Sequence, residues 1–203
     1  MGDYFRLRAD ELVGEISDGP RLGVLGSASF WHADSEVTCQ EIGRKLSRIP
    51  NLSLVTGGMS AVGLVTAKGF AADRALSTLP LGVYHLLPEG YPPRDVGETL
   101  AAGADMLERR ELLARVCPIY LVVEGGPGTA HEVSAARSPG ATILPVGRSG
   151  GVARRLYEEP SIRKGIDARQ FDALGQASSC PRDVAAAVAE IVQACFDAGS
   201  SPR

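Results

Sequence analysis

Apolar residues recur along this chain in two alternating patterns, one typical of buried strands and one typical of amphipathic helices. Short runs of apolar and β-branched residues predict strands at residues 22–25, 52–56, 81–86, 119–124 and 142–146. Longer segments with helical spacing predict helices at residues 35–48, 62–75, 104–115, 129–136, 152–157 and 181–198. Strands that alternate with helices form βαβ units, and continuously apolar strands suit a sheet covered on both faces. We therefore predict an α/β protein with a parallel sheet.

Three segments need a separate interpretation. The last helix, at residues 181–198, has one apolar face and is predicted to dock against the sheet. That face consists of Val184, Val188, Ile191, Val192 and Cys195. Residues 88–98 contain three prolines and no steady period, so we expect a surface loop there, of the kind that often borders a site. Residues 1–20 form an N-terminal extension. Because no linker divides the chain, we predict a single domain over residues 1–203.

Composition and charge narrow the function classes. The chain has 203 residues, of which 44% are hydrophobic, and a formal net charge of −3. That charge argues against a nucleic-acid binder that relies on diffuse phosphate contacts. No stretch approaches the length of apolar sequence that a membrane span needs, so we expect a cytoplasmic protein without membrane association. The four cysteines lack the spacing of a zinc site, and we expect reduced, buried thiols and no metal.

Glycine-rich segments follow three of the predicted strands. They are GSAS at residues 26–29, TGGMSAVG at residues 56–63 and EGGPGT at residues 124–129. Ligands of open parallel sheets bind beyond the carboxyl ends of the strands, where helix N-termini present free N–H groups. Each segment alone is also consistent with a plain turn between a strand and a helix. The GGPGT loop at residues 125–129 is the sharpest signal, because adjacent glycines let the backbone approach a phosphate.

Several charged residues have both a structural and a functional interpretation. Thr129 and Glu132 have the spacing of a capping box, but a carboxylate in the first turn of this helix would also suit catalysis. Arg109 and Arg110 fit a solvated helix face beside acidic neighbours, and they also fit a ligand site. Those acidic neighbours are Glu108 and Glu111. The three histidines lack partners at metal spacing and are interpreted as ordinary residues; they are His32, His85 and His131.

In combination, these motifs resemble the Lonely guy family of cytokinin riboside 5′-monophosphate phosphoribohydrolases. They also resemble the wider group of nucleotide-binding Rossmann-like proteins, which includes molybdenum cofactor carrier proteins. The family pattern PGGxGTxxE is similar to EGGPGTAHE at residues 124–132, and MxxRK is similar to MLERR at residues 106–110. GGxxxGLM is similar to GGMSAVGLV at residues 57–65, and GSAS takes the place of the family's GSS turn. The resemblance covers about residues 20–150.

The resemblance implies a doubly wound Rossmann-like sheet and assigns roles to individual residues. Arg109 and Glu132 match the catalytic pair of the family, and Arg110 matches a substrate contact. The other residues implied to bind substrate are Gly26, Ser27, Gly57, Gly58, Gly63, Glu89, Gly125, Gly126, Gly128 and Thr129. Two positions depart from the pattern. Glu124 replaces a proline and should weaken anion binding unless it points away or pairs with an arginine, and Arg110 replaces a lysine.

By this resemblance the protein hydrolyses the N-glycosidic bond of a nucleoside 5′-monophosphate, of the cytokinin or purine type, to free base and ribose 5-phosphate. No cofactor is implied, and the expected partners are a small-molecule nucleotide and a second copy in a homodimer. None of these motifs contains a lysine, which argues against the Schiff base of a decarboxylase that uses pyridoxal phosphate. The alternative is a non-catalytic carrier or sensor of a phosphorylated pterin or nucleotide, in which Glu132 only caps a helix.

Overall fold

A sheet of six parallel strands organises residues 2–199, the part of the chain that this computed structural model describes. The strands are β1 (Arg21–Gly26), β2 (Ser53–Thr56), β3 (Val83–Leu87), β4 (Glu98–Ala101), β5 (Ile119–Val123) and β6 (Thr142–Val146). Their order across the sheet is β4-β3-β2-β1-β5-β6, and every neighbouring pair is parallel. The predicted α/β fold with a doubly wound Rossmann-like sheet is confirmed.

Helices cover both faces of this sheet. They are α1 (Gly2–Glu15), α2 (Ser35–Leu46), α3 (Val62–Arg74), α4 (Met106–Leu113), α5 (Pro127–Arg137), α6 (Gly151–Tyr157), α7 (Ala168–Gly175) and α8 (Pro181–Gly199). Apolar residues of α2, α3, α7 and α8 form one core, and those of α1, α4, α5 and α6 form the other. In β5, Leu121 faces the first core while Tyr120 and Val122 face the second. This burial on both faces explains why the strands are continuously apolar.

Tyr120 fixes the position of α4 on the sheet. Gly23 in β1 leaves the space for its ring, since a Cβ there would lie 2.2 Å from the ring carbon Cδ1. The Tyr120 hydroxyl donates to the carbonyl of Leu113, at the end of α4, over 2.6 Å. It also accepts from the amide of Cys117 over 3.0 Å. Because α4 carries Arg109 and Arg110, these contacts also help to set the position of both arginines.

Three elements were not predicted from the sequence pattern. The loop predicted at residues 88–98 runs into β4, a short edge strand whose residues are exposed or half-exposed, so it lacks an apolar signal. The N-terminal extension contains α1, in which Ala9 and Leu12 are buried among many charged neighbours. The helix α7 is capped by the Asp167 carboxylate, which accepts from two first-turn amides at 2.9 and 3.2 Å.

The prediction of buried cysteines holds for two of the four. Cys39 and Cys117 are buried, as expected. The expectation of burial is wrong for Cys180, which is exposed, and for Cys195, which is only partly covered. All four are free thiols.

Among residues 2–199, no helix combines the length and the apolar character that a membrane span needs.

The winding direction of the sheet reverses between β1 and β5. Gly26 and Val123 are paired at the carboxyl ends of these two strands, and the helices that follow them pack on opposite faces. In open parallel sheets, the crevice outside such a switch point is where ligands bind. The fold therefore brings the loop after β1 and the loop after β5 together at this edge.

Candidate functional site

A polar cleft of about 250 Å³ opens at the switch point between β1 and β5. It is lined by Gly26, Ser27, Ala28, Ser29, Trp31, Met59, Met106, Arg109, Arg110, Gly126, Pro127, Gly128, Thr129 and Glu132. A larger groove of about 680 Å³ lies at the opposite edge of the sheet, beside Arg21 and Pro118. We place the candidate site in the smaller cleft, because the helices that follow parallel strands direct their N-termini toward the carboxyl edge.

The helix α5 begins with Pro127, two residues earlier than predicted. Gly126 is the N-cap residue and makes no side-chain capping bond, while Thr129 already lies inside the first turn. The capping-box interpretation of Thr129 and Glu132 is therefore wrong. Proline is favoured at the first helical position, where its missing N–H is not needed. The remaining first-turn amides have no acceptor within the helix and are available at the cleft.

Glu132 forms a buried ion pair with Arg109. The Arg109 Nη1 donates to the Glu132 Oε1 over 2.5 Å, and the exposed fractions of the two side chains are 3% for Arg109 and 8% for Glu132. The interpretation of Arg109 as part of a solvated helix face is therefore wrong. The Arg109 Nη2 also contacts the Gly57 carbonyl at 3.5 Å. Its buried Nε has no hydrogen-bond partner among the described residues, so the pair retains one donor for a further acceptor.

Burial governs the pKa values of this pair. Loss of solvation raises the pKa of the Glu132 carboxyl, and the charge and hydrogen bond of Arg109 oppose that rise. Burial likewise lowers the pKa of the Arg109 guanidinium, against the attraction of Glu132. Each charge therefore depends on the other for its stabilisation, because water reaches neither of them freely.

Arg110 follows Arg109 on α4 and lies beside the start of α5. Its Nη2 is 3.0 Å from the point that a Cβ on Gly128 would occupy, so the guanidinium lies against the first turn of α5. Within residues 2–199, Arg110 has no ion-pair partner. Glu111, one of the neighbours considered from the sequence, instead contacts Arg115 and His131, each at 2.6 Å. Arg110 and the helix N-terminus together make the wall of the cleft positive.

Glu124, the residue that replaces the family's proline, turns its side chain toward the loop after β1. Its carboxylate is fully buried and accepts hydrogen bonds from the amides of Trp31 and His32, each at 3.0 Å, and from the Ser27 hydroxyl. Its own amide donates to the Ser149 Oγ over 2.7 Å. The φ of Glu124 is 56°, in the left-handed region that non-glycine residues seldom adopt. This backbone conformation directs the carboxylate away from the GGPGT loop.

The turn after β2 supports Arg109 from the other side. Gly57 leaves room for the guanidinium, since a Cβ there would lie 2.6 Å from the Arg109 Nη2. The amide of Gly58, at φ 62°, donates to the Thr56 Oγ1 over 2.9 Å. Thr56 in turn bonds to the Nδ1 of buried His85 at 2.7 Å, so this histidine is a packed strand residue. Gly63, the remaining glycine of this segment, packs against Thr56.

Five of the predicted site residues do not line this cleft; they are Gly57, Gly58, Gly63, Glu89 and Gly125. Glu89 is exposed in the loop after β3, and its amide donates to the Gly103 carbonyl over 2.9 Å. Conversely, sequence reasoning missed Trp31, which is 57% exposed at the cleft, and Met59 and Met106 in its wall. The signal for Trp31 was an aromatic residue shortly after the GSAS segment.

Metal-ligating side chains do not converge in the described structure. Within residues 2–199, no group of three histidine, cysteine or carboxylate side chains could hold a metal ion. His131, in the first half of α5, is partly exposed and bonds to the Glu111 Oε1 at 2.6 Å. The chemical groups of the cleft are therefore its two arginines, Glu132, hydroxyl groups and backbone amides.

The parallel sheet and the polar cleft at its switch point define a Rossmann-like α/β protein. A family model matches residues 20–172, and the chain belongs to the SLOG cluster4 family. Comparison with curated protein sequences finds no match. The wider Rossmann-like group that the motifs indicated is confirmed by the family and by the fold.

Solved structures share this fold at low sequence identity. TM1055, a structural genomics target, has a TM-score of 0.60 and 20% identity, with 75% of this chain and 89% of its own chain covered. The molybdenum cofactor carrier protein from Chlamydomonas reinhardtii has a TM-score of 0.56 and 22% identity, with 86% and 99% covered. The molybdenum cofactor binding protein from the phototrophic bacterium Rippkaea orientalis has a TM-score of 0.58 and 17% identity, with 87% and 99% covered. At this identity the likeness establishes the fold.

Proposed function

We propose that the cleft binds a nucleoside 5′-monophosphate and that the protein hydrolyses its N-glycosidic bond, releasing the free base and ribose 5-phosphate. The observation that carries the proposal is the buried Arg109–Glu132 pair, which lines the same cleft as the N-terminus of α5. A phosphate site and a fixed carboxylate then lie within the reach of one ligand. The catalytic and binding roles that the resemblance implied for these residues belong to the same proposal.

The phosphate would be held by the first turn of α5 and by Arg110. The amides of Gly128 and Thr129 have no partner within the helix, and the helix dipole adds partial positive charge at this end. Arg110 contributes a full positive charge, and its planar fork suits two phosphate oxygens. The negative charge of Glu124 is a smaller obstacle than its position in the motif suggests, because its carboxylate is already hydrogen-bonded to backbone amides.

Glu132 would act on the sugar. Cleavage of an N-glycosidic bond builds positive charge at C1′ and the ring oxygen, and a nearby carboxylate stabilises charge that exists only in the transition state. The base leaves with the electron pair of the bond and takes up a proton from solvent water, while a second water adds to C1′ and gives a proton to Glu132. Glu132 returns that proton to solvent, which restores the carboxylate. Arg109 would position Glu132, because it holds Oε1 and leaves the other oxygen for water or substrate.

A carrier or sensor that binds a phosphorylated pterin or nucleotide without cleaving it is the second candidate. The observation in its favour is that Arg109 already neutralises the Glu132 carboxylate, which is the arrangement of a structural ion pair. Two proteins of similar fold are named for carrying or binding the molybdenum cofactor. For this candidate, the same α5 amides and Arg110 would hold the phosphate.

Incubation with nucleotides separates the two candidates. The purified protein is mixed with AMP, GMP, CMP and N6-isopentenyladenosine monophosphate, and free base is measured by chromatography. The hydrolase predicts release of at least one base, which Glu132→Gln abolishes while calorimetry still detects nucleotide binding. Binding without release of any base favours the carrier. Sedimentation of the same sample tests the homodimer, which stays a prediction.

A further inference from the structure

Trp31 is the large aromatic side chain at the mouth of the cleft. It is 57% exposed, although its backbone amide and the next one are bonded to buried Glu124. Single exposed apolar residues are common on protein surfaces and need no explanation. Trp31 differs from them because it lines the candidate cleft and its loop is held by hydrogen bonds to Glu124.

Trp31 rests on two glycines near the starts of neighbouring helices. Atoms of its six-membered ring are 3.5 Å from the point that a Cβ on Gly126 would occupy, and 2.8 Å from the equivalent point on Gly151. Gly151 has a φ of 60°, and a Cβ there would also lie 2.7 Å from the Gly125 carbonyl. A side chain at Gly151 would therefore displace the ring. These contacts support one part of Trp31 and leave more than half of its surface open.

Glu124 holds the backbone of this aromatic residue in place. One carboxylate oxygen accepts from the amides of Trp31 and His32, and the other accepts from the Ser27 hydroxyl. Hydrogen bonds to an ionised acceptor are stronger than neutral ones. Glu124 thus fastens both ends of residues 27–32 to the end of β5. An aromatic residue on a fixed loop loses little conformational freedom when a ligand stacks on it.

From this arrangement we infer that Trp31 is a stacking platform for the planar nitrogen heterocycle of the ligand, and that Glu124 is its positioning residue. The inference rests on the proposed function in requiring a phosphorylated ligand in this cleft. Trp31 lines the same cleft as Arg110 and Glu132. A ligand with its phosphate at α5 and Arg110 and its sugar beside Glu132 would place its heterocycle against Trp31. Fused-ring heterocycles are the expected class, because they stack over a larger area than single rings.

The chain contains a single tryptophan, so tryptophan fluorescence reports on this platform alone. The wild-type protein is titrated with 7-deazaadenosine 5′-monophosphate, chosen for slow loss of its base, and separately with ribose 5-phosphate, which has no base. We expect quenching by the nucleotide and none by bound ribose 5-phosphate. Calorimetry then compares wild type, Trp31→Phe and Trp31→Ala. We expect Trp31→Ala to bind the nucleotide about 5- to 150-fold more weakly, with unchanged affinity for ribose 5-phosphate, and Trp31→Phe to retain most of the affinity.

The outcomes separate this inference from the proposed function. Nucleotide binding without quenching, or equal nucleotide affinity in Trp31→Ala, overturns the platform and leaves the phosphate site intact. Equal weakening for both ligands also overturns it, because Trp31 would then act through the fold. Failure of both ligands to bind the wild type overturns the proposed function together with the inference. For Glu124→Gln, the positioning role predicts weaker binding of the nucleotide and unchanged binding of ribose 5-phosphate. A nucleotide affinity equal to that of the wild type would contradict that role.

Discussion

Replacing Arg109 by methionine tests the ion pair on which the candidate site depends. Methionine keeps much of the length of arginine, so the main change is the loss of the positive charge beside Glu132. Because only 8% of the Glu132 side chain is exposed, its carboxylate would be left buried without a compensating charge. Breaking one half of a buried ion pair lowers the free energy of unfolding by about 3–5 kcal/mol. That loss is a large share of the stability of a typical domain.

Urea denaturation followed by circular dichroism measures this loss. With a dependence on urea of about 2 kcal/mol per molar, the transition midpoint should fall by about 1.5–2.5 M. The double variant Arg109→Met/Glu132→Leu removes both charges and should recover most of the loss, because an apolar pair of similar volume replaces a buried ion pair at little cost. The matched control is Arg137→Met. Its ion pair with Glu159 has a similar distance of 2.6 Å, but 39% and 40% of the two side chains are exposed.

The control should lower stability by less than about 1 kcal/mol, because water solvates an exposed pair in either state. The reasoning is refuted if Arg109→Met behaves like Arg137→Met, or if the double variant is no more stable than Arg109→Met alone. The first result would mean that water reaches Glu132, and the second that Arg109 stabilises the protein through packing. Either would leave the Arg109–Glu132 contact without the energetic role that its burial implies.

Three further predictions follow from single side chains. Glu124→Pro restores the family motif but should lower the free energy of unfolding by roughly 3 kcal/mol or more, because proline cannot adopt the φ of 56° or donate to Ser149. Thermal denaturation measures this loss, with Glu124→Gln as the comparison. A melting temperature equal to that of the wild type would contradict the prediction. A thiol reagent should label exposed Cys180 rapidly in the native protein and spare Cys39, since burial raises the pKa of Cys39 to about 12; equal labelling rates would show that the core opens. If the protein is a hydrolase, kcat/KM should rise with pH, because the ionised form of Glu132 is required. Burial raises the pKa of Glu132, so the inflection should lie above about 4.3, the ordinary pKa of glutamate. An inflection at or below that value counts against Glu132 as the acting group.

The sequence predicted the fold well where burial on both faces makes strands continuously apolar. Residues 142–146 were predicted with the same bounds that β6 has in the structure, and the other predicted strands differ by at most two residues at either end. The edge strand β4 was not found, because an exposed edge needs no apolar pattern. The helix α1 was hidden for a related reason: its buried residues are few, charged residues lie between them, and two of its large apolar residues, Tyr4 and Leu7, are exposed.

The candidate site was predictable only in part. The glycine-rich ends of β1 and β5 had to meet once the sheet reversed between them. The pairing of Arg109 with Glu132 was implied only by the family resemblance, because their spacing alone also fitted a solvated helix face and a capping box. The capping box failed because Pro127, and not Thr129, starts α5. Glu89 lies outside the cleft, and its loop with several prolines carries no sequence pattern that fixes its direction. Trp31 was missed because no spacing rule relates it to the residue that holds it, which is 93 positions away in sequence.

Glu124 illustrates why a motif can keep its geometry while its charge changes. A carboxylate at the entrance of a phosphate loop should repel an anion, and from the sequence alone this departure weakens the case for phosphate binding. The left-handed backbone at Glu124 separates the carboxylate from the loop that follows, and two amides and a hydroxyl satisfy it on the side of β1. The anion would then meet the first turn of α5 and Arg110, and the same substitution fixes the loop that carries Trp31. A residue that looks like a defect in the phosphate site can therefore define the site for the rest of the ligand.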